Sequence, residues 1–200
     1  MRMRKRKWVD PFLSEEKDYL IDNAFNYDDI YLEIGMGMGD FIVESAKRNS
    51  NNTYIGLEKD PTCVARAVIK AKENGVNNLK ISYANALNLL DVIKENSVNT
   101  IYLHFSDPWP KKPHHKRRLT YPTFLSLYEK ILNDKGTIIF KTDNKDLFTD
   151  SLEYFKTSNF DIVDVNENYH SIERDEPLTG YESKFKNEGL PIYFVKLIKK

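Results

Sequence analysis

The chain has 200 residues, with 30 Lys and Arg against 30 Asp and Glu, a formal net charge of zero and a hydrophobic fraction of 40%. That length allows one domain, residues 1–200, with a substantial core, and no uninterrupted apolar stretch approaches the roughly 18 residues of a transmembrane helix, so no membrane-spanning helix is expected. A lone cysteine, Cys63, excludes an internal disulfide; in a stretch that reads as helix it is expected to be a buried, inert thiol.

In chain order, Arg2, Arg4, Lys5, Arg6 and Lys7 form a basic arm within residues 1–8, which reads either as a solvated tail or as a contact for a polyanion. The arm lacks the apolar core of a secretory signal, so mature sequence and a cytoplasmic location are expected. Ser14 to Phe25 reads as a helix, with Ser14 as N-cap ahead of Glu15 and Glu16 and with Leu20, Ile21 and Ala24 at helical spacing. Ile30 to Ile34 is an apolar strand ending in glycines, and Asp40 to Arg48 a helix with Phe41, Ile42 and Ala46 inward. A second strand, Thr53 to Leu57, precedes Asp60 as N-cap and Pro61 in the first turn of a helix that stops at Gly75.

The pattern continues with strand Leu79 to Tyr83, a short helix near Leu87 to Lys94, strand Asn99 to Phe105 and helix Tyr121 to Leu132. Strand Gly136 to Lys141, helix Lys145 to Thr157 and two β-rich runs, Phe160 to Val165 and Ile192 to Ile198, complete the series. Strand and helix alternating through short connections predict a doubly wound α/β domain, a largely parallel sheet covered on both faces. Glu167 to Pro191 has no clear periodicity and is longer than a usual connection, which predicts a functional loop with some helix.

The first strand leads into Glu33-Ile34-Gly35-Met36-Gly37-Met38-Gly39, where Gly35, Gly37 and Gly39 let the backbone approach a ligand and the following helix N-terminus favours an anionic group. A dinucleotide fingerprint would place its third glycine at position 40, which is Asp40. Glu33, a carboxylate in an apolar strand, calls for a cationic or donor partner. S-adenosylmethionine carries both a carboxylate for the turn and an ammonium for Glu33. Glu58, at the end of the second strand, is placed to accept both ribose hydroxyls of an adenosine. Asn85, just past the third strand, is placed either to bond the adenine edge or to form a turn.

After the fourth strand, Asp107-Pro108-Trp109-Pro110-Lys111-Lys112 leads into Pro113-His114-His115-Lys116-Arg117-Arg118. A carboxylate, an indole and a cationic arm share a proline-stiffened loop, a combination suited to gripping a base beside its phosphates. Alone, Asp107 would be a turn or helix cap and Tyr181 a packing residue, while Trp109, between prolines on a loop, reads as a rim or stacking residue rather than a core side chain. His114 and His115 have no His or Cys partner at zinc-ligand spacing, so no metal is expected.

Together Glu33 with its glycine turn, Glu58, Asn85 and the Asp107 to Lys112 motif resemble the tRNA (guanine-N7)-methyltransferase family, a branch of the class I S-adenosylmethionine-dependent methyltransferases. The resemblance extends through Lys116-Arg117-Arg118-Leu119-Thr120, Thr142-Asp143 and Thr179-Gly180-Tyr181-Glu182, and so spans nearly the whole chain. It implies a Rossmann-like, seven-stranded sheet whose last strand is antiparallel. It further implies that Glu33, Gly35, Gly37, Gly39, Glu58, Asn85 and Asp107 contact the cofactor, with Asp107 also catalytic. Lys111, Asp143, Thr179, Gly180, Tyr181 and Glu182 would meet the substrate, and Pro113, His114, His115, Lys116, Arg117 and Arg118 would contact RNA. The implied partner is tRNA and the implied target a variable-loop guanosine; oligomeric state is left open. A class I methyltransferase acting on another RNA or a small molecule, and a non-catalytic RNA-binding module with a degenerate cofactor turn, are the competing readings.

Overall fold

The computed structural model describes residues 6–169 and 176–200, apart from the side chains of Ser183 and Lys186. Its sheet has seven strands: β1 (Ile30–Ile34), β2 (Thr53–Glu58), β3 (Leu79–Tyr83), β4 (Val98–His104), β5 (Leu132–Thr142), β6 (Phe160–Asn166) and β7 (Tyr193–Lys199), in the spatial order β3-β2-β1-β4-β5-β7-β6. The β1–β2, β2–β3, β1–β4 and β4–β5 pairs are parallel, and β7 runs antiparallel to both β5 and β6. The expected doubly wound sheet with an antiparallel last strand is therefore what the chain forms. Strand order reverses between β1 and β4, so the crevice beyond their carboxyl ends is where an open α/β sheet holds its ligand.

Alternation along the strands divides the core between two faces. Ile30, Leu32 and Ile34 pack with Phe124, Leu125 and Tyr128 of α5 (Pro122–Ile131) and with Leu147, Phe148 and Phe155 of α6 (Lys145–Lys156). The other face packs Tyr31, Tyr54 and Tyr102 with Phe41, Ile42 and Ala46 of α2 (Asp40–Arg48) and Val64, Ala67, Val68 and Ala71 of α3 (Pro61–Glu73). Helix α3 starts as its sequence predicts: Asp60 Oδ1 accepts the N–H groups of Thr62 and Cys63, and Pro61 occupies the first turn.

The expected helix from Ser14 to Phe25 does not form. The first helix, α1, is Val9–Glu15, and Ser14 Oγ donates to the Pro11 carbonyl instead of capping. Tyr19 to Ile21 then pairs with β3: Ile21 N–H donates to Ile81 C=O at 3.0 Å and Ile81 N–H to Tyr19 C=O at 2.8 Å. Strand β3 lies at the edge of the sheet, and its unsatisfied backbone groups outweigh a modest local helix propensity. The short fourth helix is also reduced, to a 3-10 turn over Ala86–Asn88 and α4 (Leu89–Val92). Strand β5 begins earlier than expected, at Leu132, with a register shift opposite Val98 and Thr100. Within Glu167 to Pro191, the expected loop carries α7 (Gly180–Glu188), while residues 170–175 lie outside the described part.

Candidate active site

Glu33, the last residue but one of β1, is almost wholly buried, at 3% exposure. Burial pushes its carboxyl well above the usual carboxylate range, with Asp40 and Glu58 adding repulsion against the pull of Lys141 and the Ile42 N–H. Oε1 lies 3.5 Å from His104 Nδ1, and Oε2 is buried without a hydrogen-bond partner among the described residues. The glycine turn follows directly. Gly37 has φ +56 and nothing within 4 Å of where a Cβ would stand, so its outer side is open to a ligand. Gly39, at φ +76, packs so closely on α3 that a Cβ would come 2.9 Å from Ala67 Cβ. That contact explains a glycine at 39, where a dinucleotide fingerprint would have it one residue later.

Glu58 ends β2 and braces this turn from beneath. Its Oε2 accepts the Gly37 N–H at 3.1 Å, and its Oε1 accepts those of Lys59 and Asp60 at 2.8 and 2.9 Å. Asn85, exposed past β3, turns its side-chain oxygen to the Leu87 N–H at 3.0 Å and so begins the 3-10 turn; Leu87 itself is 57% exposed. Cys63 is partly buried, and loss of solvent, aided by Glu58 and Asp60, pushes its thiol up to about 11. It therefore stays protonated, as an inert thiol should.

At the end of β4, Phe105 and Trp109 adopt φ +48 and +41 on either side of the exposed Asp107. Left-handed backbone at non-glycine residues is held only where the surroundings enforce it. Phe105 N–H donates to the Lys141 carbonyl at 2.9 Å, and the Pro108 carbonyl accepts from Arg118 Nε at 2.7 Å. Trp109 is half-buried, with the Arg117 guanidinium 4.9 Å from its ring centre and His114 edge-on, so the protein itself covers much of the indole that the sequence offered for stacking.

Lys112–Arg117 form a 3-10 turn in which Pro113, Lys116 and Arg117 are exposed and His114 and His115 half-buried; Lys111 is exposed at its start. Arg118, expected to contact RNA, is instead only 2% exposed. Its Nη1 meets Asp150 Oδ2 at 2.6 Å and its Nη2 stands 3.0 Å from His115 Nε2, which clamps the loop to α6. Arg118→Ala is expected to lower unfolding free energy by about 2–3 kcal/mol, the range for removing charge-assisted bonds from a buried group. Lys116→Ala should stay within about 0.5 kcal/mol of the unaltered protein. Urea denaturation compares the two. In the N-terminal arm, Arg6 and Lys7 are exposed beside Trp8, which meets Arg66, while Arg2, Arg4 and Lys5 lie outside the described residues.

The Thr179-Gly180-Tyr181-Glu182 run is a capping box. Glu182 N–H donates to Thr179 Oγ1 at 2.9 Å and Thr179 N–H to Glu182 Oε2 at 3.1 Å. Gly180 lies against α2, where a Cβ would stand 3.0 Å from Asp40 Oδ2. Glu182, expected at the substrate, is 1% exposed and faces inward, its Oε1 lying 3.4 Å from Lys141 Nζ. Tyr181 is exposed and stacks on Phe105 with ring centres 5.8 Å apart. Asp143 is exposed just beyond β5.

A family model described as a putative methyltransferase matches residues 28–195. A tRNA (guanine-N(7)-)-methyltransferase of Macrococcus caseolyticus is 40% identical over 203 residues, covering 96% of this chain and 97% of that protein. One of Staphylococcus aureus is 40% identical over 205 residues, covering 96% and 95%.

The chain belongs to the tRNA (guanine-N7)-methyltransferase family. A solved antibiotic-related methyltransferase superposes with a TM-score of 0.62 at 18% identity, covering 98% of this chain and 96% of that one, which speaks to the fold.

The family uses S-adenosylmethionine, and the residues present suit it. The orphaned Glu33 Oε2 matches an ammonium, the space beside Gly37 admits a chain close to backbone, and exposed Leu87 offers an apolar face at the end of β3. Among the described residues no group of His, Cys, Asp and Glu could hold a metal ion, and no helix is long and apolar enough to cross a membrane. Sequence reasoning missed Lys141 and His104, register partners on β5 and β4 that share a face with Glu33. Each is an ionisable residue inside an apolar strand, the signal that singled out Glu33.

Proposed function

We propose that the protein transfers a methyl group from S-adenosylmethionine to N7 of a guanosine in the variable loop of tRNA. The supporting observation is the pairing, across the β1/β4 switch point, of a buried carboxylate with an orphaned oxygen and an exposed carboxylate, Asp107, that leads into a basic turn. A cytoplasmic location goes with that substrate.

S-adenosylmethionine, when bound, supplies an electrophilic methyl group on a cationic sulfur. Guanine N7 is an unprotonated acceptor on the base edge, so no residue has to remove a proton before attack. The protein's task is placement, which can supply on the order of 7 to 11 kcal/mol. Glu33 holds the donor's ammonium, the glycine turn its carboxylate and Glu58 its ribose, with Asn85 beside the adenine. Asp107 faces the purine as it becomes cationic and stabilises that charge. A carboxylate also accepts from both N–H groups on guanine's pairing edge, which adenine lacks. Asp143, exposed at the end of β5, takes that role in preference to the inward Glu182. Lys111, Lys116 and Arg117 meet phosphates, and Tyr181 presents its free ring face to a base.

Incubation with unmodified tRNA and labelled S-adenosylmethionine, followed by nucleoside mapping, tests this. Label is expected on guanine N7 in the variable loop; label on another atom would overturn the assignment. RNA affinity should fall steeply with salt, and replacing Lys116 and Arg117 together should flatten the slope of log affinity against log salt by about 1 to 2, roughly one per phosphate contact. A flat slope in the unaltered protein favours a small-molecule substrate. Arg118 is left intact in this test because its loss would disturb the loop.

A further inference from the structure

Lys141 has no exposed surface, in a strand that reads Thr137-Ile138-Ile139-Phe140-Lys141-Thr142. A buried ammonium persists only where carboxylates and other partners replace its hydration. Here Nζ has Glu176 Oε2 at 3.1 Å and Glu182 Oε1 at 3.4 Å, lies 5.0 Å from the centre of the Tyr169 ring and acts on Glu33. Both paired carboxylates belong to the segment that carries α7. Among the described residues of that helix, Gly180 lies against α2, Phe185 packs against the Tyr169, Ile192 and Phe194 cluster, and Tyr181 rests on Phe105 with most of its surface exposed. The Lys141 backbone carbonyl meanwhile accepts the Phe105 N–H at the root of the Asp107 loop. One residue thus joins the loop after β4 to the first turn of α7.

We infer that Lys141 is a positioning residue for the RNA substrate: its buried ammonium docks the first turn of α7 beside the Asp107 loop and so sets where the target guanosine stands. It does this without touching the substrate. Charge is what the position requires, because Glu182, 1% exposed, is tied at once to Lys141 and to the capping box, and without the cation its inward Oε1 would lose the ammonium it faces. With that anchor removed, the first turn of α7 would hold Thr179 and Tyr181 less firmly relative to Asp107. This inference rests on the methyl-transfer function proposed above.

The test compares the full chain with Lys141→Met, Lys141→Arg and Glu176→Gln. Calorimetry reads S-adenosylmethionine affinity, steady-state methylation reads kcat and KM for tRNA, and amide hydrogen exchange reads local order. Lys141→Met is expected to raise KM for tRNA about tenfold or more, as for truncation of a buried charge partner, with cofactor affinity moving about threefold at most. Exchange protection should be lost in α7 and residues 105–110 and kept across β1, β2 and β4. Lys141→Arg keeps the charge and should recover most of both. Glu176 is half-exposed, so Glu176→Gln threatens folding little and is expected to raise KM about threefold, the size of a partly exposed pair. It decides the matter with Lys141→Arg should Lys141→Met not fold. Unchanged KM in Lys141→Met and Glu176→Gln, or in Glu176→Gln where Lys141→Met does not fold, or protection lost uniformly over the sheet, would overturn the role of Lys141 alone. Absence of N7 methylation by the unaltered protein would instead overturn the proposed function.

Discussion

Asp107→Ala is expected to lower the single-turnover rate of methyl transfer by about 10²- to 10³-fold, the scale of losing one preorganised electrostatic partner of a transition state. S-adenosylmethionine affinity should change by no more than about fivefold, because an exposed carboxylate is well solvated before the substrate arrives. Positive charge reaches the purine only during transfer, so a nearby carboxylate stabilises the transition state more than the ground state. The loop geometry supports such a role: the left-handed backbone at Phe105 and Trp109 and the Arg118 clamp on Pro108 fix where Asp107 stands. Asp107→Asn separates charge from shape and should lie near the alanine variant in rate. An asparagine variant with full activity would refute the electrostatic account, and equal losses of rate and cofactor affinity would make Asp107 chiefly a cofactor ligand.

Glu33→Gln is expected to weaken S-adenosylmethionine binding by roughly 30-fold or more at mildly alkaline pH, corresponding to about 2–5 kcal/mol for one partner of a buried charge pair. The same residue predicts a pH profile. Burial raises the Glu33 pKa in the folded protein above its value in the unfolded chain. Its contribution to the stability of the unliganded protein is therefore full below the unfolded value and is lost as pH rises through the folded one. An ammonium beside it favours ionisation, so cofactor affinity should climb with pH and level off once Glu33 is ionised unaided. The stabilisation that S-adenosylmethionine confers in thermal melts should grow in the same direction. In Glu33→Gln the slope due to this group disappears, and the unliganded variant at alkaline pH should melt no lower than the unaltered protein. Calorimetry across the range decides it; a pH-independent affinity in the unaltered protein, or undiminished binding by the glutamine variant, would remove Glu33 from the ammonium site.

Much of the architecture was legible because it is encoded by neighbours in the chain. Asp60 and Pro61 specify the start of α3 by capping chemistry, and the glycines after Ile34 specify a turn whatever surrounds it. The segment after Ser14 was misread for the complementary reason: its helical spacing is weak, and the demand it answers comes from β3, about sixty residues away. The charged side chains divide along the same line. Lys116 and Arg118 are near neighbours in one basic run, yet Lys116 faces solvent and Arg118 is sealed against Asp150, 32 residues later.

By itself the sequence determined the alternation of strands and helices from Ile30 onward and the family, and it marked the strand ends proposed to carry the chemistry, since period, caps, turns and motifs act over a few residues. Only the tertiary structure decided which of the functional-looking groups are exposed and which are buried against the protein's own partners. It turned Glu182 inward onto Lys141, covered Trp109 with Arg117, and left one oxygen of Glu33 buried without a hydrogen-bond partner among the described residues. The physical reason is that a charge is stabilised by whatever lies within a few ångströms of it, and here those partners come from distant segments.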